Sequence, residues 1–381
     1  MKFDYQSRLK KLRLRMTRHR LDGFLVAGKK NIYYLSGFLG DDSWLLVTSE
    51  RALLITDFRF REQAQKTLAP GYELQVRSSE PLNSKAAGLC REIALKKIGF
   101  EEHHLNYGEF SRLKKLLRKR ELRPAGELVE ELRMVKDLTE IDLLRESARR
   151  TVRVLKEEIK TLRSKMTEAD LSRRITIDIL KDGGTPAFPP IVAAAAHGSQ
   201  PHALPSSRRL GPGMMVLIDL GAGIEAYMSD MTRTFVWGEY PRRFKTIYRA
   251  VLGAQKKALR ALRPGVPASA IDREARSYLE KRGYGSYFGH GLGHGVGLEV
   301  HEKPTISANS RDVLKEGMVF TVEPGVYIPG WGGIRIEDTV LVTDDGCEIL
   351  TEYPKNLESM VIKRNLKSWV KANNFRHFSA L

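Results

Sequence analysis

The sequence contains one pattern twice, in Leu210-Gly-Pro-Gly-Met-Met-Val-Leu-Ile-Asp219-Leu-Gly221 and in Leu314-Lys-Glu-Gly-Met-Val-Phe-Thr-Val-Glu323-Pro-Gly325. The shared frame, Leu-x-x-Gly-Met-x-x-x-x-acid-x-Gly, predicts a turn, an apolar strand and a carboxylate near the end of that strand. A second predicted strand follows each copy and carries another acid, Asp230 after the first copy and Glu337 after the second. The sequence therefore predicts two related halves, each with two carboxylates at the same point of a hairpin.

A pseudo-twofold axis between these halves would bring the four carboxylates together. Four carboxylates at one point repel each other and strongly destabilise a fold unless cations neutralise them. Two divalent metal ions about 3.5–4 Å apart, bridged by carboxylates as in aminopeptidases, satisfy that requirement. A structural salt bridge is the alternative for any single carboxylate, but it does not explain the repeated pair.

A nitrogen ligand for such a metal pair is available in the glycine-rich stretch Gly289-His290-Gly-Leu-Gly-His294-Gly-Val-Gly297. Its glycines disfavour a helix, so the two histidines are not a helical i, i+4 metal-binding pair. The zinc-peptidase helix motif is excluded downstream, because His301-Glu302 has no second histidine after it and Pro304 interrupts any helix. Four oxygen donors and one imidazole favour manganese over zinc, with cobalt or iron(II) as alternatives. We predict five metal ligands: Asp219, Asp230, His294, Glu323 and Glu337.

The composition fits a two-domain protein without membrane-spanning segments. A chain of 381 residues exceeds what one hydrophobic core usually serves, and 42% hydrophobic and 29% charged residues are ordinary for a globular protein. No apolar run approaches the roughly 20 residues of a membrane span, and the N-terminus lacks the apolar core of a secretory signal. Cys90 and Cys347 offer neither a disulfide framework nor a zinc-type spacing, so we predict a reducing, cytoplasmic location.

The net charge of +18 is concentrated in the first 20 residues, in residues 112–120 and in the tail after Lys363. Such a charge can attract nucleic acid or acidic partners. However, Leu113, Leu116 and Leu117 recur among the bases at the spacing of a helix whose other face is solvated. No aromatic–basic interleaving typical of a nucleic-acid motif accompanies the charge. We therefore predict no specific nucleic-acid binding.

Helical and strand-like segments alternate along the chain. Within residues 1–127, strands are predicted at 23–27, 44–48 and 52–56 and a helix at 112–120, which indicates an α/β domain. Two long helices are predicted to begin with capping boxes, Thr139-x-x-Asp142 and Thr167-x-x-Asp170. Two more helices are predicted at about 241–262 and 268–282.

A longer series of motifs spans residues 188–338 in order and spacing. It comprises Phe188-Pro-Pro-Ile-Val192, Pro201-His202-Ala203, Asp219-Leu-Gly-Ala222, Ser229-Asp230-Met-Thr-Arg-Thr234, Gly289-His-Gly-Leu-Gly-His-Gly-Val-Gly-Leu298, Val300-His301-Glu302, Thr321-Val-Glu-Pro-Gly325 and Gly333-Ile-Arg-Ile-Glu-Asp338. With these motifs the chain resembles the pita-bread metallopeptidases, in particular the proline-specific branch that contains aminopeptidase P and prolidase. Asn31-Ile-Tyr-Tyr-Leu-Ser-Gly-Phe38 and Asp57-Phe-Arg-Phe60 look like parts of the creatinase-like N-terminal domain of that branch.

This resemblance implies an α+β protein with two folded domains. Residues 1–127 would form an α/β creatinase-like domain. Residues 128–364 would form the pita-bread catalytic domain, a curved antiparallel sheet with pseudo-twofold symmetry and helices on its outside. Residues 365–381 would be a basic tail. Because the N-terminal domain commonly helps such proteins to dimerise, a homodimer is also expected.

The resemblance also implies a role for each predicted ligand. Asp230 and Glu337 would bridge two metal ions. Asp219 would bind one of these ions, while His294 and Glu323 would bind the other. A bridging water or hydroxide would be the nucleophile, with Glu323 as its proton acceptor.

Four further side chains receive roles beside the ligand set. His301 would stabilise the tetrahedral intermediate or shuttle a proton, and His202 would contact the substrate near the scissile bond. Arg335 would orient Asp219, and Tyr327 would share that network.

The expected substrate is a peptide with proline in the second position. Methionine aminopeptidases resemble only the catalytic part and creatinases have lost the metal ligands, which leaves cleavage before proline. Some prolidases carry an arginine shortly after the His-Glu motif, where this chain has Thr305. We therefore predict an Xaa-Pro aminopeptidase, with the Xaa-Pro dipeptidase (prolidase) as the alternative. At His197, relatives commonly carry asparagine, and His197 receives no role.

A function of a different class is the second alternative. Some pita-bread proteins are non-catalytic and bind nucleic acid or other proteins, which the positive charge would suit. Those relatives have lost metal ligands, whereas this chain retains all five predicted positions, so the sequence favours an enzyme.

Overall fold

The structure is a computed structural model that describes residues 3–363. The chain folds into two compact units that divide between Arg133 and Met134. The predicted domain boundary at residue 127 falls before that division, and the predicted basic tail 365–381 lies outside the described residues. Within residues 3–363, every helix is too short or too polar to cross a membrane.

The first unit is built on a six-stranded mixed sheet in the order β4-β3-β2-β1-β5-β6. Its strands are β1 (Gly23–Val26), β2 (Trp44–Thr48), β3 (Ala52–Asp57), β4 (Glu73–Arg77), β5 (Lys97–Phe100) and β6 (Glu121–Pro124). Its helices are α1 (Tyr5–Arg18), α2 (Lys29–Ser36), α3 (Arg61–Thr67), α4 (Leu82–Glu92), α5 (Tyr107–Leu116) and α6 (Glu130–Arg133). The three strands predicted here correspond to β1, β2 and β3, whose residues are all buried because they form the centre of the sheet.

The helix predicted at residues 112–120 is displaced. It is α5, which begins earlier because Asn106 and Glu109 form a capping box, with Asn106 Oδ1 accepting from the Glu109 N–H at 3.0 Å. It ends at Leu116, and residues 121–124 form β6, which pairs with β5. Two of the three predicted core leucines are buried, whereas Leu116 is 37% exposed. The bases of residues 112–120 are exposed except for Arg120, which is half-buried, so most of them are solvated.

The second unit contains four long helices and most of the strands. The helices are α7 (Leu138–Thr161), α8 (Glu168–Lys181), α9 (Arg242–Ala261) and α10 (Ala268–Glu280). The strands are β7 (Thr185–Pro186), β8 (Ile191–Ala194), β9 (Met215–Leu220), β10 (Ala222–Ile224), β11 (Tyr227–Met228), β12 (Met231–Trp237), β13 (Gly293–Gly295), β14 (Glu302–Ile306), β15 (Val319–Val322), β16 (Gly325–Ile328), β17 (Gly332–Arg335), β18 (Asp338–Val342), β19 (Cys347–Ile349) and β20 (Val361–Ile362).

The repeated pattern forms two antiparallel strand pairs. In a sheet of order β20-β12-β9-β8, β9 pairs with β12 so that Asp219 lies opposite Thr232. In a sheet of order β14-β13-β15-β18-β19, β15 pairs with β18 so that Val322 lies opposite Asp338. Apolar side chains of both sheets pack with those of the four helices in one core, which includes Ile218, Phe235, Phe320, Val251 and Ile271. This core fixes the ends of the paired strands, where the predicted ligands lie.

The two predicted capping boxes have different outcomes. Thr167 and Asp170 cap α8 as predicted. At α7, however, the cap is Asp137, which accepts from the Glu140 N–H at 3.0 Å, so the prediction of Thr139 and Asp142 is wrong. Asp137 with Glu140 and Thr139 with Asp142 both have the spacing of a capping box, and a tertiary contact favours the first pair. The buried Glu140 side chain also accepts a hydrogen bond from the Tyr227 hydroxyl at 3.0 Å, which fixes Glu140 in the first turn.

A pair of alanine substitutions tests this helix start. Removing a capping side chain costs about 1 kcal/mol, so Asp137→Ala should lower the thermal midpoint of the second unit by about 2–4 °C. Thr139→Ala, two residues away in the same turn, should leave the midpoint nearly unchanged. Differential scanning calorimetry measures both shifts, and a larger loss in the Thr139 variant would restore the original prediction.

Candidate metal centre

All four predicted carboxylates lie at the ends of the paired strands in the second unit. Asp219 is the penultimate residue of β9, and Asp230 immediately precedes β12. Glu323 immediately follows β15, and Glu337 immediately precedes β18. Each half therefore contributes two carboxylates from the same end of one antiparallel pair, which is the arrangement that the repeated pattern predicts.

Hydrogen bonds across the pseudo-symmetric halves hold these acids together. The backbone N–H of Glu337 donates to the carbonyl oxygen of Thr232 at 3.1 Å. The Thr232 hydroxyl in turn donates to Glu337 Oε2 at 2.5 Å. On the other side, the Thr339 hydroxyl donates to the carbonyl oxygen of Asp230 at 2.7 Å. These three contacts are buried, so the two halves are fixed to each other at the carboxylates.

His294 completes the group because its glycine neighbours allow close backbone contact. A Cβ atom at Gly293 would lie 1.9 Å from the Thr321 carbonyl oxygen, and one at Gly295 would lie 2.1 Å from the Lys303 carbonyl oxygen. Strand β13 therefore inserts between β14 and β15 only with glycine at both positions. The His294 Nε2 atom then lies 3.2 Å from Glu323 Oε1 and 3.7 Å from an oxygen of Asp230.

The donor set fits divalent metal ions. Ligand atoms of Asp230, His294 and Glu337 all lie within 4.8 Å of one another. Asp219 Oδ1 and Asp230 Oδ1 are buried and accept no hydrogen bond from any residue between 3 and 363. Buried carboxylate oxygens are normally paired, so these two unpaired atoms are candidate oxygen donors to a cation.

The carboxylates have strongly altered pKa values. Burial, together with the charges of Glu337 and Asp219, raises the pKa of Asp230 well above its usual value. Burial and the charges of Glu323 and Asp219 do the same to the pKa of Glu337. Glu323 is the exception: burial alone would raise its pKa, but the hydrogen bond and charge of His294 lower it to about 2. Mutual repulsion of this kind is relieved by bound cations.

Arg335 lies beside Asp219, the residue that it is predicted to orient. Its Nη2 atom donates to Asp219 Oδ2 at 2.7 Å, its Nη1 atom to the Tyr327 hydroxyl at 2.9 Å and its Nε atom to the Thr232 hydroxyl at 2.9 Å. Tyr327 also contacts His290, whose Nε2 atom lies 3.0 Å from the Tyr327 hydroxyl. A continuous hydrogen-bonded chain thus runs from a histidine of the glycine-rich stretch to Asp219.

The ligand cluster lines a pocket of about 530 Å³, a volume typical of small-molecule sites. His202 and His301 line the same pocket, and the His301 ring lies 4.2 Å from the His294 ring, centroid to centroid. One wall of the pocket is apolar. It is formed by Phe188, Pro189, Ile191, Leu204, Pro205 and Val300.

The structure reveals a contact for His197 that the sequence did not predict. Glu168, the first residue of α8, is fully buried, and one of its oxygens lies 2.8 Å from His197 Nδ1. The same carboxylate accepts from the Ser206 hydroxyl at 2.6 Å and from the Ala194 N–H at 2.7 Å. These bonds hold both ends of the loop that carries His202. In the sequence, Glu168 is only an acid in the predicted first turn of α8, which indicates the start of a helix but not this contact.

Comparisons with known proteins identify the class of this chain. A model of metallopeptidase family M24 matches residues 142–344, and a model of the creatinase/prolidase N-terminal domain matches residues 8–135. The chain therefore belongs to metallopeptidase family M24 and carries a creatinase/prolidase N-terminal domain. This result confirms the resemblance, the α+β pita-bread fold and the expectation of an enzyme.

Individual relatives add detail. The chain is 34% identical over 353 residues to an Xaa-Pro dipeptidase from Pyrococcus horikoshii, covering 92% of this chain and 98% of that relative. The structure of an Xaa-Pro dipeptidase from Bacillus anthracis has a TM-score of 0.90 and 35% identity and covers 94% of this chain and 100% of that chain. The structure of an X-Pro aminopeptidase from Thermotoga maritima has a TM-score of 0.83 and 34% identity, and it covers 91% of this chain and 99% of that chain. These relatives favour the dipeptidase alternative over the predicted aminopeptidase.

The altered pKa values predict opposite effects of two isosteric substitutions in metal-free protein. Because folding raises the pKa of Glu337, its contribution to stability is lost as the pH rises above the usual 4.5. Glu337→Gln should therefore raise the thermal midpoint in chelator at pH 8, by about 2–4 °C for each 1 kcal/mol of relieved repulsion. Metal addition should stabilise the native protein but not this variant.

Glu323→Gln is the matched control, and it should change the thermal midpoint in the opposite direction. Folding lowers the pKa of Glu323 to about 2, so its charge stabilises the protein above pH 4.5 and that contribution is lost as the pH falls. This variant should have a lower midpoint than the native protein under the same conditions. Equal shifts in the two variants would show that the carboxylates are not in distinct environments.

Proposed function

We propose that this protein is an Xaa-Pro dipeptidase, or prolidase, that uses two divalent metal ions. The observation that carries the proposal is the likeness to Xaa-Pro dipeptidases over more than nine-tenths of the chain, combined with the predicted ligands at one pocket. Manganese is the preferred metal for four carboxylates and one imidazole. A homodimer in the cytoplasm remains a prediction from the sequence.

The five proposed ligands come from both halves of the second unit. Asp230 and Glu337 are proposed to hold both ions, Asp219 one of them, and His294 with Glu323 the other. Bound there, the ions would polarise a peptide carbonyl and acidify a water molecule. Glu323 lines the pocket and is the carboxylate proposed to accept a proton.

Two histidines beside the ligands are proposed to act on the substrate. His301 lines the pocket, and its ring lies next to that of His294, which suits a residue that donates to the oxyanion of the tetrahedral intermediate. His202 belongs to the loop held by Glu168 and lies where it can contact the substrate. The apolar wall suits the ring of a proline residue, whose tertiary amide has no N–H to pair.

A dipeptide substrate also presents a free carboxylate to this pocket. Arg335 is not available for it, because its guanidinium is already bound to Asp219, Tyr327 and Thr232. Thr305 lines the pocket but carries no charge. His202 is then the side chain proposed to meet the substrate carboxylate.

The second candidate is an Xaa-Pro aminopeptidase, which acts on longer peptides. It is favoured by Thr305 in place of an arginine and by the similarity to the X-Pro aminopeptidase from Thermotoga maritima. A non-catalytic binding module has no such support, because all five ligand positions are retained.

Four substrates distinguish these candidates in an assay with manganese. For a dipeptidase, kcat/KM for Ala-Pro should exceed that for Ala-Pro-Ala by about 10- to 100-fold, because a charge-assisted contact to the free carboxylate contributes about 1.5–3 kcal/mol. Ala-Pro amide, which lacks that charge, is the matched control and should behave like the tripeptide. Equal or better cleavage of Ala-Pro-Ala indicates the aminopeptidase. Cleavage of Ala-Ala-Ala at a similar rate would remove the proline specificity.

His301→Ala tests the proposed oxyanion contact. Turnover should fall by about 10²–10⁴-fold, because His301 acts on the transition state. Metal content, measured by elemental analysis of the same sample, should be unchanged. Near-normal turnover with both metals bound would contradict the assignment, and metal loss would place His301 among the ligands.

A further inference from the structure

A second cavity lies between α9 and α10, apart from the metal pocket. This cavity, the α9–α10 groove, has a volume of about 620 Å³. Four cationic residues and two tyrosines line it, namely Arg242, Lys245, Arg249, Arg282, Tyr278 and Tyr284. No acidic residue lines it. None of its lining residues belongs to the metal pocket, so it requires its own explanation.

Helix α9 is unusual because it has no acidic residue at all among its seven bases. Within residues 3–363, none of these bases forms an ion pair with a carboxylate. Helix α7 shows the usual arrangement: Arg145, Arg150 and Arg153, among others, have carboxylate partners within 4.0 Å. Like charges at i, i+4 spacing, such as Lys245 and Arg249, destabilise a helix. An anionic ligand would compensate for that repulsion.

The tyrosines are held in the groove by packing. Arg282 lies over the Tyr278 ring, with its guanidinium carbon 3.5 Å from the ring centroid. On the other side, a Cβ atom at Gly253 would lie 2.1 Å from the Tyr278 hydroxyl oxygen, so α9 accommodates this ring only at a glycine. Glycine within a helix is destabilising relative to alanine, yet here it allows the aromatic contact. Tyr284 is half-buried beside it.

We propose that the α9–α10 groove binds a nucleotide, with its polyphosphate on the cations and its base against Tyr284. Arginine forks match the oxygens of phosphate groups, and four cations that line one cavity suit a ligand of high charge density. Side-chain carboxylates of an acidic peptide are spread more widely along their chain. The half-buried Tyr284 ring beside the cations provides a stacking surface for a planar base.

Isothermal titration of the full-length, manganese-loaded enzyme in excess Mg²⁺ tests the proposal. The probes are ATP, inorganic triphosphate, adenosine and a hexaglutamate peptide. ATP should bind most tightly, followed by triphosphate, and neither adenosine nor hexaglutamate should bind comparably. Absence of ATP binding at millimolar concentration, or tighter binding of hexaglutamate, would overturn the proposal.

Two matched double variants of α9 locate the site. Lys245→Gln with Arg249→Gln should weaken ATP binding by about 10- to 100-fold. Lys256→Gln with Arg260→Gln removes the same two residue types at the same spacing outside the groove, and it should leave binding nearly unchanged. Equal weakening in both variants would mean a diffuse charge effect instead of a site. Peptidase activity should be unchanged in both, because neither pair lines the metal pocket.

Tyr284→Leu distinguishes the contribution of the base to ATP binding from that of the phosphates. Stacking on an aromatic side chain contributes about 1–3 kcal/mol, so ATP binding should weaken by about tenfold or more. Binding of inorganic triphosphate to the same variant should not change. If ATP binding is also unaffected, the groove is a phosphate site and the nucleotide proposal is wrong.

Discussion

The mutual repulsion of four buried carboxylates is the constraint on which the second unit depends. Asp219, Asp230, Glu323 and Glu337 come from the ends of two strand pairs, and buried hydrogen bonds between the halves prevent them from separating. Two of their oxygens have no hydrogen-bond donor within residues 3–363, so the folded chain itself leaves buried negative charge uncompensated. The helices and sheets around the centre provide the packing that offsets this repulsion.

The pseudo-symmetry of the carboxylates does not extend to their positive partners. In the first half, Asp219 is bound by Arg335, a permanently charged guanidinium. In the second half, the equivalent Glu323 lies against His294, an imidazole whose charge depends on its protonation. As a result the two ends of one symmetric cluster are chemically different, and the end with the histidine faces His301. This difference supports distinct roles for the two proposed metal positions.

Positive charge is also distributed unevenly, because the helices differ in how far carboxylates balance their bases. Most of the bases on α7 are balanced by carboxylates in the next turn or on a neighbouring segment. Helix α9 has no such balance, although its seven bases are spread over 20 residues and do not form a run. The dense runs of bases in the sequence therefore do not include this helix. Its charges converge only when α9 packs beside α10.

The sequence by itself determined that four carboxylates lie at the ends of two strand pairs, because the repeated frame and the strand that follows each copy carry these acids whatever the surrounding packing. It also determined three buried strands of the first unit and the positions of α8, α9 and α10, since local patterns and caps specify these elements. Tertiary structure decided where α7 begins, because the contact between Glu140 and Tyr227 selected one of two overlapping capping boxes. It also decided the role of Glu168, the asymmetry of the carboxylate pKa values and the α9–α10 groove. Each of these depends on side chains that are distant in sequence, and their distances and burial are set only by the folded chain.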